Sequence, residues 1–213
     1  MYMHIGVFDS GKGGAYVADN LKHILPEHTY VVVNDSRNVP YGARSREEII
    51  DLTDCAIQPL LATCPIIVIA CNTATMAGIH VLRERYPATM FVGIEPMIKP
   101  ARSLTSSQRV TVLATPLTLK SPRYEQLKSL HGKDIVIDEP NTQDWARKIE
   151  DGDHDEIDIT SLTMSVLEGS DVLILACTHY IALKQQFEQL YDVTVIEPSD
   201  AIAQQITRLI NSR

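Results

Sequence analysis

The chain has 213 residues, 45 % of them hydrophobic, enough to bury one large core or two of about 100 residues each without disulfide staples. Nineteen Lys and Arg against 27 Asp and Glu leave a formal charge of −8, which repels nucleic acid and anionic membranes, and no basic patch offsets it. The opening Met1-Tyr2-Met3-His4-Ile5-Gly6 has no signal-peptide pattern and no apolar run approaches a membrane span, so a cytoplasmic protein with no nucleic-acid or membrane partner is expected. In chain order, β-branched apolar runs predict strands at Ile5-Phe8, Tyr30-Asn34, Ile66-Ala70, Met90-Ile94, Val110-Ala114, Ile135-Asp138, Val172-Ala176 and Val193-Ile196. Between and after them, helical spacing predicts helices at about 14–25, 45–62, 73–85, 118–130, 141–150, 156–168, 181–190 and 199–211, with Thr73, Thr118 and Ser199 as cap or first-turn residues.

This alternation implies βαβ units. Several strand runs are apolar throughout, as parallel strands covered on both faces must be, so the fold class is α/β. Glu95-Pro96-Met97-Ile98-Lys99-Pro100, with two prolines after a strand near the midpoint, is a candidate crossover between halves. Residues 1–95 and 96–198 are then two small parallel-sheet domains. The amphipathic stretch Ala201-Ile210 can pack on either and is assigned to the first, as a C-terminal helix over 199–213.

Two motifs fail on inspection. Gly6-Val7-Phe8-Asp9-Ser10-Gly11-Lys12-Gly13 approaches a phosphate-binding loop, but Gly13 lacks the hydroxyl that holds magnesium and Gly6 lies inside the strand. The glycines instead suit a tight turn that lets Asp9 and Ser10 project at the strand end. Asp151-Gly152-Asp153-His154-Asp155-Glu156 begins like a calcium loop, but the sixth and twelfth positions hold Glu156 and Leu162. It reads as a solvated acidic run, with Glu150 at its head able to point inward. The four cysteines, at 55, 64, 71 and 177, form no CxxC and no ligand spacing with the histidines, so no metal site is expected. Cys55 and Cys64 read as small hydrophobes.

Cys71 and Cys177 differ because their surroundings repeat: Val68-Ile69-Ala70-Cys71-Asn72-Thr73 and Ile174-Leu175-Ala176-Cys177-Thr178-His179. Each thiol ends a buried run and precedes residues that can start a helix, where parallel sheets present their reactive groups. At a helix start, or beside a histidine, a thiolate is favoured, which suits proton transfer at carbon. One thiolate taking a proton from one face of a substrate, while a second thiol returns one to the other face, inverts a stereocentre without a cofactor. His179 is the natural helper of Cys177, and Asp9 that of Cys71.

Asp9-Ser10-Gly11-Lys12-Gly13-Gly14, Pro40-Tyr41-Gly42, Cys71-Asn72-Thr73-Ala74, Ala114-Thr115 with Thr118, and Cys177-Thr178-His179-Tyr180 stand in this order along the chain. In this the chain resembles glutamate racemases of the aspartate/glutamate racemase superfamily. The resemblance implies two pseudo-symmetric, doubly wound α/β domains with the substrate between them, no cofactor, a homodimer, and a supply of D-glutamate for peptidoglycan. It implies that Cys71, assisted by Asp9, deprotonates D-glutamate, and that Cys177, assisted by His179 with Glu150 as its acidic partner, deprotonates L-glutamate. Ser10, Pro40, Tyr41, Gly42, Asn72, Thr73, Thr115, Thr118 and Thr178 match substrate-holding positions, together with Asp9 and His179. Their neutral donors suit two carboxylates that must be held without rigid tethering.

The chain departs from that pattern at Lys12, Leu117, Ile181 and Glu197-Pro198-Ser199. Lys12 would add charge near the pocket and Leu117 would narrow it. The alternatives are an aspartate or other amino-acid racemase of the superfamily, a non-catalytic amino-acid-binding protein, and a thiol redox protein.

Overall fold

The computed structural model describes residues 2–160 and 167–212. Among the described residues, eight strands form two parallel four-stranded sheets. The first holds β1 (His4–Asp9), β2 (Thr29–Asn34), β3 (Ile66–Ile69) and β4 (Met90–Gly93) in the order β2-β1-β3-β4. The second holds β5 (Arg109–Leu113), β6 (Val136–Asp138), β7 (Val172–Leu175) and β8 (Thr194–Ile196) in the order β6-β5-β7-β8. Each sheet thus repeats one plan, in which the chain steps outward from its first strand, then crosses back to that strand's other side. The α/β expectation is met. The chain divides into two compact units, Met1–Glu95 with Pro198–Arg213, and Pro96–Glu197.

In the first unit, α1 (Gly13–Ile24) packs on β1 and β2 and against the last helix, Ser199–Asn211, while α2 (Arg46–Leu61) and α3 (Asn72–Arg85) pack on each other and on the same sheet. Phe8, Ile67 and Ile69 share one core with Ile49, Ile57 and Leu60 of α2 and Ala74, Ala77 and Leu82 of α3. α2 begins with a reciprocal cap in which Ser45 Oγ accepts the Glu48 N–H and the Glu48 carboxylate accepts the Ser45 N–H. α3 bends at Gly78 (φ −159°, ψ 16°), where a Cβ would meet Ile50 Cγ1 at 2.4 Å. The missing side chain lets α2 close onto α3.

In the second unit the two faces of the sheet are buried by separate cores. Val110, Val112, Ala114, Val172, Ile174 and Ala176 pack with Ile98 and Ala101 of α4 (Ile98–Leu104) and with Tyr124 and Leu127. Leu113, Leu173 and Leu175 pack with Ile149, Tyr180 and Phe187. Strand periodicity sends successive residues to opposite faces, and both faces here are apolar. That is why these runs do not alternate in sequence.

Several predicted boundaries are corrected. The predicted helix 118–130 is two helices, α5 (Pro116–Leu119) and α6 (Pro122–His131), because Ser121 Oγ accepts the Tyr124 N–H and starts a new helix with Pro122 in its first turn. The Glu95–Pro100 stretch contains the start of α4, whose early Pro100 lacks only an N–H that a first turn leaves unbonded. The helix predicted over 141–150 begins later, as α7 (Trp145–Asp151), and that predicted over 181–190 is a 3-10 turn, Thr178–Leu183, leading into α8 (Lys184–Leu190). We label Ser199–Asn211 α9. Much of the helix predicted over 156–168 lies outside the described residues. Among the described residues, no helix is long and apolar enough to cross a membrane.

The start of β7 is fixed by Asp171, whose carboxylate accepts from the hydroxyls of Thr105 and Ser107 and from the backbone N–H groups of Ser106 and Ser107. Desolvation alone would raise this carboxyl, but the four donors outweigh it and hold its pKa at about 2. A depressed carboxylate pKa gives stability that is full above the ordinary value of about 4 and declines as pH falls toward 2. Asp171→Ala is expected to cost about 2 kcal/mol at pH 7. Urea unfolding at pH 7 and at pH 3 should show a smaller deficit at the lower pH.

Candidate active site

Both candidate thiols stand two residues beyond the end of the strand that crosses back beside the first. In the first unit Phe8 pairs with Ile69 and the Ala70 N–H donates to the Phe8 carbonyl at 2.7 Å, so the chain leaves β1 and β3 side by side at Ser10 and Cys71. Ser10 Oγ lies 3.2 Å from Cys71 Sγ, although 61 positions separate them in sequence. Cys71 also caps α3, its sulfur accepting the Ala74 N–H at 3.4 Å. Thr73 therefore occupies the first turn of α3, and the cap is the thiol itself. The helix dipole and this N–H both favour negative charge on sulfur.

Asp9, the last residue of β1, is fully buried. One of its carboxylate oxygens accepts the Gly11 N–H at 2.8 Å, closing the expected turn, and its carbonyl accepts the Asp35 N–H at 3.0 Å. At Gly14 an added Cβ would sit 2.7 Å from Asp9 Cβ and 2.9 Å from Asn34 Oδ1. The glycine is thus clearance for Asp9. Lys12 is exposed at the cap position of α1.

Tyr41 lies in a 3-10 turn, Tyr41–Ala43, after Pro40, and packs in the core that contains Cys71. Its hydroxyl donates to Asp35 Oδ2 at 2.8 Å, and Asn38 Nδ2 donates to both oxygens of Asp35, at 2.9 and 3.0 Å. Burial raises the phenol's pKa far above its ordinary value, followed in effect by Asp35 and by the nearby Cys71. Tyr41 is thus a neutral donor pointed inward, and Pro40 and Gly42 are exposed beside it. Asn72 and Thr73 are buried in the first turn of α3. Sequence reading missed Asp35 and Asn38; the available signal was Asp35's position just past the end of β2.

The second unit repeats the plan with other groups. Leu113 pairs with Leu175 and the Ala176 N–H donates to the Leu113 carbonyl at 2.8 Å, so Thr115 and Cys177 leave β5 and β7 together. Cys177 Sγ lies 3.9 Å from His179 Nδ1, and His179 Nε2 lies 2.8 Å from Glu150 Oε2. All three side chains are buried. With Nε2–H donating to the carboxylate, Nδ1 accepts from a thiol, or donates to a thiolate once the ring is protonated. Thr178 is buried beside them, and Thr115 Oγ1 accepts the Thr118 N–H at 3.4 Å, with the two hydroxyls 3.1 Å apart. Leu117 lies on the exposed side of α5, and Ile181 is buried.

Each thiol therefore has a neighbour whose hydrogen bond can reverse: the Ser10 hydroxyl at Cys71 and the His179 ring at Cys177. A group that gives and takes a proton needs support in both states. None of the four cysteines is in a disulfide. Among the described residues, no group of three or more His, Cys, Asp or Glu is arranged to hold a metal ion.

Residues 14–206 match the sequence profile of the Asp/Glu/hydantoin racemase family. A glutamate racemase of Pseudomonas paraeruginosa is 37% identical over 217 residues, covering 98% of this chain and 82% of that protein. The crystal structure of Escherichia coli glutamate racemase in complex with L-glutamate and the activator UDP-MurNAc-Ala superposes with a TM-score of 0.88 at 27% identity, covering 99% of this chain and 83% of that one. The Francisella tularensis glutamate racemase in complex with D-glutamate gives a TM-score of 0.78 at 28% identity, with 99% and 81% covered.

The clearance at Gly14 makes a direct prediction. Gly14→Ala should destabilise the chain by about 1–3 kcal/mol through overpacking against Asp9. An unchanged urea midpoint would contradict the close approach.

Proposed function

From the premise that this chain belongs to the Asp/Glu/hydantoin racemase family, we propose that it interconverts L- and D-glutamate, without a cofactor, by proton transfer through Cys71 and Cys177. The carrying observation is that each thiol stands at the switch point of its own sheet, against a neighbour whose hydrogen bond can reverse. An amino-acid-binding protein has no use for two such groups.

With D-glutamate, the Cys71 thiolate takes the α-hydrogen as a proton, forming S–H as C–H breaks. The electron pair left on the α-carbon delocalises into the adjoining carboxylate. Cys177 then delivers its thiol proton to the opposite face, giving L-glutamate and a thiolate at Cys177. From L-glutamate the roles exchange. Ser10, the Ala74 N–H and Asp9 serve the Cys71 side, and His179, backed by Glu150, serves the Cys177 side.

Substrate is held by Ser10, Asn72 and Thr73, by Thr115, Thr118 and Thr178, and by the turn Pro40-Tyr41-Gly42. Because the Tyr41 hydroxyl is committed to Asp35, this turn contributes through backbone N–H groups, which the start of a helical turn directs outward. Glutamate is favoured over aspartate because the 37%-identical relative is a glutamate racemase and the similar E. coli and F. tularensis enzymes were crystallised with L- and D-glutamate. Supply of D-glutamate for peptidoglycan, a homodimer and a cytoplasmic location complete the proposal, supported by the sequence resemblance.

Incubated in deuterated water with either enantiomer of glutamate, the protein should exchange the α-hydrogen and racemise the substrate. Exchange with neither enantiomer would refute the proposal, and faster exchange with aspartate would refute the choice of glutamate. Cys71→Ala and Cys177→Ala should each lower racemisation by about 10²–10⁴-fold or more, the share expected of a positioned acid or base. Substantial turnover by either variant would contradict the two-thiol assignment.

A further inference from the structure

Thr142 lies between β6 and α7, outside every motif described above, and is only 2% exposed. Its hydroxyl donates to the Ala114 carbonyl at 2.8 Å, at the end of β5. The same oxygen receives the Tyr180 hydroxyl proton at 2.9 Å, in a bond shared with the Thr142 carbonyl at 3.1 Å. That carbonyl also accepts the N–H of Trp145, the first residue of α7, at 3.1 Å.

Three elements meet at this one residue. The end of β5 leads to Thr115 and Thr118, the turn after β7 carries Cys177, Thr178 and His179 directly before Tyr180, and α7 carries Glu150. We infer that Thr142 is the positioning residue of the Cys177–His179–Glu150 group, setting the β7 turn against α7 so that the imidazole spans thiol and carboxylate.

Tyr180 is fully buried, so its hydroxyl must find an acceptor inside the protein, and Thr142 provides two. Burial, and then charge on Cys177, push the phenol's pKa well above its ordinary value, so it remains a donor. Trp145 closes the arrangement from the α7 side, its ring edge-on to Tyr180 at 5.7 Å and stacked on Phe187 at 6.4 Å. His179 is thus fixed from Tyr180 while Glu150 is fixed from Trp145, and both fixings refer to Thr142. Proton transfer tolerates misplacement poorly, and a shift of about 1 Å can cost on the order of 100-fold in rate.

The inference rests on the reading of Cys177 and His179 as a proton-transfer pair. Its test compares Thr142→Val, which keeps the shape and loses the hydroxyl, with Thr142→Ser, which keeps the hydroxyl. With L-glutamate, Thr142→Val should lower kcat about tenfold or more with KM within about twofold of the parent, and Thr142→Ser should restore it. Iodoacetamide alkylation, followed by peptide mass spectrometry, should show a changed ratio of Cys177 to Cys71 labelling in Thr142→Val and the parental ratio in Thr142→Ser. Parental kcat and labelling ratio in Thr142→Val, or equal loss in both variants, would overturn the inference. If Thr142→Val does not fold, Tyr180→Phe removes both contacts of the Tyr180 hydroxyl with Thr142 and must change the same two quantities in the same direction, and parental values would overturn it. The labelling ratio reports on Thr142 even if the parent exchanges no α-hydrogen, so the two failures are distinguishable.

Discussion

Parallel pairing sends every strand of a sheet out at one edge, and the order second-first-third-fourth leaves two neighbouring exits whose connections depart in opposite directions. The fold repeats this constraint in both units, at β1/β3 and at β5/β7. Strand register then fixes which residues emerge together: Ser10 with Cys71, and Thr115 with Cys177. The candidate chemistry follows from those adjacencies. A strand order that did not set β1 beside β3 and β5 beside β7 would separate the same residues.

Within the shared frame the two units place the neighbours of their thiols differently. In the first, the acid ends the first strand, as Asp9, and the second residue after the thiol is Thr73. In the second, the corresponding residue, one past the end of β5, is Ala114, and the second residue after the thiol is His179, whose ring meets Glu150 from α7. Asp9 is fully buried and is held by the Gly11 N–H and by the close approach of Gly14. A buried carboxylate needs such donors to remain charged. His179 and Glu150 meet the same need by pairing with each other. Two sheets of one plan thus surround their thiols with different chemistry.

All eight strands among the described residues were legible in the sequence, because doubly covered parallel strands are continuous apolar runs bounded by polar turns. The two thiols were legible for the same reason: each follows such a run in a repeated context. Other features were legible in principle and passed over. Ser121-Pro122 announces the start of α6, and Ser45 with Glu48 announces the cap of α2. α4 was hidden by its prolines, although Pro100 falls where a helix tolerates one. Glu150 was marked only by its place at the head of an acidic run, and the inward course of its side chain depends on α7 packing against the turn that carries His179.

The sequence by itself determined the fold class, the repeated strand-end setting of the two candidate thiols and the different residues that follow them, because those depend on local periodicity and on neighbours one to three positions away. Only the tertiary structure decided that Ser10 stands against Cys71 across 61 positions, that the Tyr41 hydroxyl turns inward to Asp35, and that Thr142 joins β5, the Tyr180 turn and α7. The physical reason is that these contacts satisfy buried hydrogen-bonding groups. Which partner a buried group finds is set by strand order and helix packing, and neither is written in the spacing of any one segment.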